Sequence, residues 1–155
     1  MSKQETDKYQ NILIATDLGI NTVALIERAK RLASASTSIR LLHVVRPFET
    51  TFFGTMPYIP VMPLGDKDAF EERVFTAKQE LFAEIAKDHS LDESLCIIET
   101  GDPKERIPEF AQANACDLII TASQHKKEKR PYFGSTAKAI VQNTPCDVLV
   151  VKIDH

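Results

Sequence analysis

Several things are missing from these 155 residues, and each absence closes a class of function. No apolar run approaches the roughly 20 residues that cross a bilayer, and the polar start MSKQETDKYQ has no signal-peptide core, so the expected protein is soluble and cytoplasmic. The three cysteines, Cys96, Cys116 and Cys146, match no metal-ligand spacing. Cys116 and Cys146 each head an apolar run and read as buried structural thiols of a reducing compartment. Net charge is only -3, which gives no general reason to expect a nucleic-acid partner. GxGxxG, a P-loop ending in GK[ST], a Ser–His–Asp or Cys–His set and a paired-carboxylate set are absent too, so nothing argues for a dedicated enzyme.

What is present is an alternation of short apolar runs and amphipathic stretches. NILIATD (Asn11 to Asp17), IRLLHVV (Ile39 to Val45), SLCIIET (Ser94 to Thr100), the run from Cys116 to Ala122 and CDVLVVKI (Cys146 to Ile153) read as strands. Their near-continuous apolar character is what a parallel sheet covered on both faces requires. Between them, a helix is expected from Asn21, as N-cap, to about Ala35, with Val23, Ile26, Ala29, Leu32 and Ala33 inward. A long helix capped by Asp66 carries the stripe Phe70, Val74, Ala77, Leu81 and Ile85. Asp102 and Pro103 open a third helix, with Glu105 placed for a capping-box-like pair and Ile107, Phe110 and Ala111 toward the sheet. Pro108 predicts a kink or a later start in that helix. Ser135 to Asn143 is a short last helix, stopped before Pro145.

Five strands alternating with four helices imply an α/β fold, a doubly wound parallel sheet with right-handed crossovers. Residues 1–8 are expected as a disordered tail and 9–155 as one domain. Ligands of such sheets lie beyond the carboxyl ends of the strands, where strand order reverses. Asp17, Val44 and Thr121 stand at such ends, and Gly134, Ser135 and Thr136 open a helix whose first N–H groups can receive an anion. Asp17 is either a ligand acceptor or a cap for the turn after it. His43, inside an apolar strand, reads as a satisfied core histidine. The segment from Arg46 to Gly65 carries four prolines among Phe48, Phe52, Phe53, Met56, Tyr58 and Met62. It is either a flap on the domain's own helices or a surface for a protein partner.

ILIATD, LLHVV, GDP and DLIIT…GSTAKAIVQNTPCDVLVVK, in that order over about Tyr9 to Lys152, resemble the universal stress protein family. The resemblance implies sheet order 3-2-1-4-5 in a Rossmann-like sandwich, and a cytoplasmic homodimer paired through the last strand, Val148 to Val151. An apolar edge there would by itself invite strand pairing. Part of the family binds ATP or AMP. Carried onto this chain, the nucleotide site would comprise Ala15, Thr16, Asp17, Val44, Ile120, Thr121, Gln124, Gly134, Ser135 and Thr136. The family's phosphate loop, G-x-x-G-x(9)-G-[ST], keeps only its last Gly and the Ser here; Thr121 and Gln124 stand where the other glycines belong. Glycine lets a phosphate approach the backbone with no Cβ in the way, and a β-branched threonine is poorly suited to positive φ. Lys126, Lys127, Lys129 and Arg130 either grip phosphate by charge or form a solvated face. The departure implies an A-type member, a dimeric stress-response regulator with weak or absent ATP binding. The alternative is an ATP- or AMP-binding module with slow hydrolysis at most.

Overall fold

Each strand of the sheet sends alternate side chains to opposite faces, and two separate apolar layers result. The computed structural model describes residues 8–46, 67–123 and 134–153. In chain order these hold β1 (Asn11–Ala15), α1 (Thr22–Leu32), β2 (Ser38–Val45), α2 (Lys67–Asp88), β3 (Cys96–Thr100), α3 (Pro103–Ala113), β4 (Leu118–Ser123), α4 (Ser135–Asn143) and β5 (Asp147–Lys152). The strands form one sheet of order β3-β2-β1-β4-β5, and every neighbouring pair is parallel. Ile12 and Ile14 of β1 pack with Leu25, Ile26 and Ala29 of α1 and Phe82 of α2. Leu13 and Ala15, from the same strand, pack with Ile107 and Ala111 of α3 and Ile140 of α4. β1 is buried on both faces, which is why its run is apolar throughout rather than alternating.

The helices hold to their predicted places but not always to their predicted faces. α1 ends at Leu32 rather than near Ala35. Its buried row is Thr22, Leu25, Ile26 and Ala29, spaced i, i+3, i+4, i+7, while Val23 is 42% exposed. The side chain of Asn21 makes no cap bond; the Thr22 hydroxyl donates to the Gly19 carbonyl instead, at 2.8 Å. In α2 the inward row is Phe82 and Ala86, with Leu81 and Ile85 half-buried and Ala77 exposed. Asp66 and the side chain of Phe70 lie outside the described residues. Ser94 and Leu95, expected in β3, form a single 3-10 turn capped by Asp92, whose Oδ1 accepts from the Ser94 N–H at 2.9 Å.

α3 begins at Pro103, and Asp102 caps it by accepting from the Lys104 N–H at 3.0 Å, one position short of Glu105. The helix continues through Pro108 to Ala113, so its start is not delayed. Pro108 forgoes only the bond its own N–H would make to Lys104, and its ring is buried, which returns part of that loss. Cys116 is buried and Cys146 half-buried, and all three thiols are unpaired. Burial pushes the Cys96 and Cys116 thiols up to about 11, so both stay protonated and unreactive.

At the amino ends of the strands one carboxylate ties β1 to β4. Asp117 accepts from the backbone N–H of Gln10 at 2.7 Å and of Asn11 at 2.9 Å. These are charge-assisted bonds to groups that open the central strand. Asp117→Ala is expected to cost about 1–3 kcal/mol, read as a lower urea midpoint with an unchanged m value. A midpoint equal to wild type would show that water replaces the carboxylate without loss.

Candidate functional site

β1 and β4 are neighbours in the sheet, but their crossovers leave to opposite sides, so a crevice opens beyond their carboxyl ends. A cleft of about 370 Å³ occupies that position. Its floor is Ala15, Thr16 and Asp17 after β1, Val44 at the end of β2, and Thr121 and Ala122 of β4. One wall is Gly134, Ser135, Thr136 and Ala137 at the start of α4. Pro103 and Ile107 of α3, Leu25 of α1, His43 and Arg46 complete it.

The turn from β1 to α1 is held by a directional chain of hydrogen bonds. A carbonyl can only accept, so the Thr22 hydroxyl spends its proton on Gly19 O. The Thr16 hydroxyl, 2.7 Å from Thr22 Oγ1, must therefore donate to it, and it accepts in turn from the Leu18 N–H at 3.0 Å. Both threonines are nearly inaccessible to water, which strengthens the chain. It holds Leu18 at φ 61, a left-handed conformation worth about 1–2 kcal/mol of strain. Burial of the Leu18 side chain in the α1–α2 layer contributes about as much in return.

Asp17, at the next position, is exposed and bends back on its own turn, with Oδ1 accepting from the Gly19 N–H at 2.8 Å. The cap expected of it is therefore present, and the same side chain also lines the cleft. A Cβ on residue 19 would stand 2.9 Å from that oxygen, so a side chain there would displace the Asp17 carboxylate.

His43, expected as a core histidine, is half-buried with Nδ1 2.9 Å from the Thr16 carbonyl oxygen, and it also borders the cleft. Nδ1 must carry the proton of that bond, which fixes the tautomer. Burial lowers the pKa of His43 from its ordinary 6.5; the bond to Thr16 raises it, the charge of Lys78 lowers it and that of Asp17 raises it, with burial dominant. The imidazole is thus neutral at pH 7.

The structure brings together Ala15, Thr16, Asp17, Val44, Thr121, Gly134, Ser135 and Thr136. Ile120 is not among the lining residues: its side chain points to the α1–α2 layer and is wholly buried. Gln124, the basic run Lys126 to Arg130 and the segment 47–65 lie outside the described residues. Arg46, two positions past Val44, was legible only as part of a long apolar segment, although the strand-end rule that picked out Val44 reaches it.

Thr121 is an ordinary strand residue. β4 stays in register with β5 through Thr121↔Val150, Ala122↔Val151 and Ser123↔Lys152, and Thr121 has no positive φ. Where the family pattern places its first loop glycine, this chain has sheet.

The lowered pKa of His43 has a consequence for stability. The unfolded chain takes up this proton more readily than the folded one, so the contribution of His43 is intact above its ordinary 6.5 and lost as pH falls from there toward the lowered value. His43→Gln should flatten the fall in unfolding free energy between about pH 7.5 and 5.5, measured by urea titration of both proteins. Parallel pH profiles would remove His43 from that account.

A family model described as the universal stress protein family matches residues 8–152. A putative universal stress protein of Staphylococcus aureus is 26% identical over 149 residues, 95% of this chain and 86% of that protein. Universal stress protein E of Salmonella typhi is 22% identical over 76% of this chain, and the match spans only 39% of that longer protein. Among solved structures, a universal stress protein in complex with cAMP superposes with a TM-score of 0.59 over 94% of this chain and 98% of the other, at 18% identity. With the sheet order and the ordered motifs already described, this match over nearly the whole length decides the family. The chain belongs to the universal stress protein family.

Proposed function

We propose that this universal stress protein acts in the cytoplasm as a homodimeric stress-response regulator. Its cleft holds an adenosine compound, and two of the three glycines of the family's phosphate loop are replaced, by Thr121 and Gln124. The observation that carries this is the pairing of β4 with β5 as far as Ser123↔Lys152. A strand presents its N–H groups to its neighbours, not to a phosphate, and Thr121 puts a side chain where glycine would leave room. The adenosine part has what it needs: apolar walls from Val44, Leu25 and Ile107, the carboxylate of Asp17, and a position at the switch point of the sheet. A structural neighbour solved with cAMP favours the same ligand class. Among the described lining residues Asp17 is the one carboxylate, and it is bonded to its own turn, which favours a regulator over a hydrolase.

Calorimetry on the purified chain with AMP and ATP, with and without magnesium, tests this reading. ATP is expected to bind within about threefold of AMP, since two of the three phosphate-loop glycines are missing. ATP binding tenfold or more tighter than AMP would overturn it in favour of a phosphate-clamping module. Binding of neither would leave the cleft without the proposed role.

The dimer is proposed on the sheet edge. β5 pairs with β4 on one side, and its run Val148 to Val151 is apolar and at the sheet margin. Such an edge pairs with another strand unless charge or cover prevents it. The wild-type chain should have a dimer's mass by light scattering at micromolar concentration, and Val150→Lys should shift it to monomer. A monomeric wild type would refute the pairing.

A further inference from the structure

We propose that Arg46 is the residue that anchors the ligand's anionic group in this cleft, and that it selects a nucleoside monophosphate over the bare nucleoside. The inference rests on the adenosine reading above and adds the residue that replaces the missing glycines.

Three charged or titratable side chains line the cleft among the described residues: Asp17, His43 and Arg46. Asp17 is negative and bends onto the Gly19 N–H. His43 is committed through Nδ1 to the Thr16 carbonyl and is neutral at pH 7. Arg46 is thus the one full positive charge on the described lining. It makes no ion pair among the described residues, where Arg106 with Glu109 is the pair that forms. A guanidinium without a counter-ion, bordering a crevice, is matched by an oxyanion, which it can hold through two parallel N–H donors.

The opposite wall agrees. Gly134 caps α4 without a side-chain bond, and a Cβ there would meet nothing within 4 Å among the described residues. The first N–H groups of a helix and its dipole favour negative charge at that end. The exposed Arg46 and the start of α4 line the same cleft of about 370 Å³, which has room for a compact anion. Along the described part of β4 the backbone stays in the sheet through Ser123 and adds no further anion group.

The test is calorimetry of the full chain with adenosine and with AMP, comparing wild type, Arg46→Gln and Arg46→Lys. In the wild type AMP should bind about tenfold tighter than adenosine, a preference that shrinks with added salt. R46Q should bring the ratio near one, and R46K should restore part of it, because charge is kept and the planar fork is lost. An AMP preference that survives R46Q overturns the inference, as does a wild type that shows none. If neither compound binds the wild type, the adenosine reading fails first and takes the inference with it. Adenosine binding with an Arg46-independent preference sinks the inference alone.

Discussion

The turn between β1 and α1 is the constraint on which the cleft depends. Two threonine hydroxyls, each with a single proton, pass it in one direction from Thr16 to Thr22 to the Gly19 carbonyl, and the Leu18 N–H closes the other end. The turn is short because the chain bends at Leu18 in a left-handed conformation that a leucine adopts only when its surroundings over-determine it. The hydroxyl chain and the buried leucine side chain do so together. From that one geometry follow the entry of α1, the place of the Asp17 carboxylate over Gly19, and a Thr16 carbonyl aimed at the His43 ring.

The rest of the site comes from the sheet. Because β1 neighbours both β2 and β4, three strands converge on one crevice, and each contributes residues from its carboxyl half. The helices bring their N-termini to the same end, since every crossover returns each chain segment to the start of the next parallel strand. α3 and α4 therefore border the cleft by their first turns, Pro103 and Gly134 to Ala137. The apolar parts of the lining extend the α3–α4 layer, to which Val44 and Ile107 also belong. The polar parts are the ends of elements whose backbone bonds have run out.

How much of this the sequence discloses depends on the kind of pattern. The strands were legible, because an unbroken β-branched run admits few other fates, and the sheet order was carried by the resemblance. The face of α1 was legible at Ile26, Ala29, Leu32 and Ala33 but not at its start, where Thr22, a polar residue buried for its hydroxyl bonds, is turned inward and Val23 outward. In α2 the expected Leu81 and Ile85 pack on the core, while Ala77 is exposed and the packing on β3 and β1 selects Phe82. Ile120 failed as a site residue by simple alternation. It stands one position before Thr121 and so faces the opposite layer. Arg46 escaped because no periodicity distinguishes a strand-end cation from the start of a loop.

The described glycines separate what the fold needs from what a ligand needs. Gly101 has φ 147, where a side chain is strained whatever the space, and Gly19 is held against the Asp17 carboxylate. Gly101 would be glycine in a protein that bound nothing. Gly134 is different: its φ of -55 suits any residue, and a Cβ would point into open space. Among the described residues, neither its backbone nor its packing explains the missing side chain, and it borders the cleft. The loss of glycine at 121 has the opposite sense, since Thr121 is 7% exposed and serves the sheet. Of the two positions, the one at the start of α4 has stayed glycine, and the one in β4 has become part of the sheet.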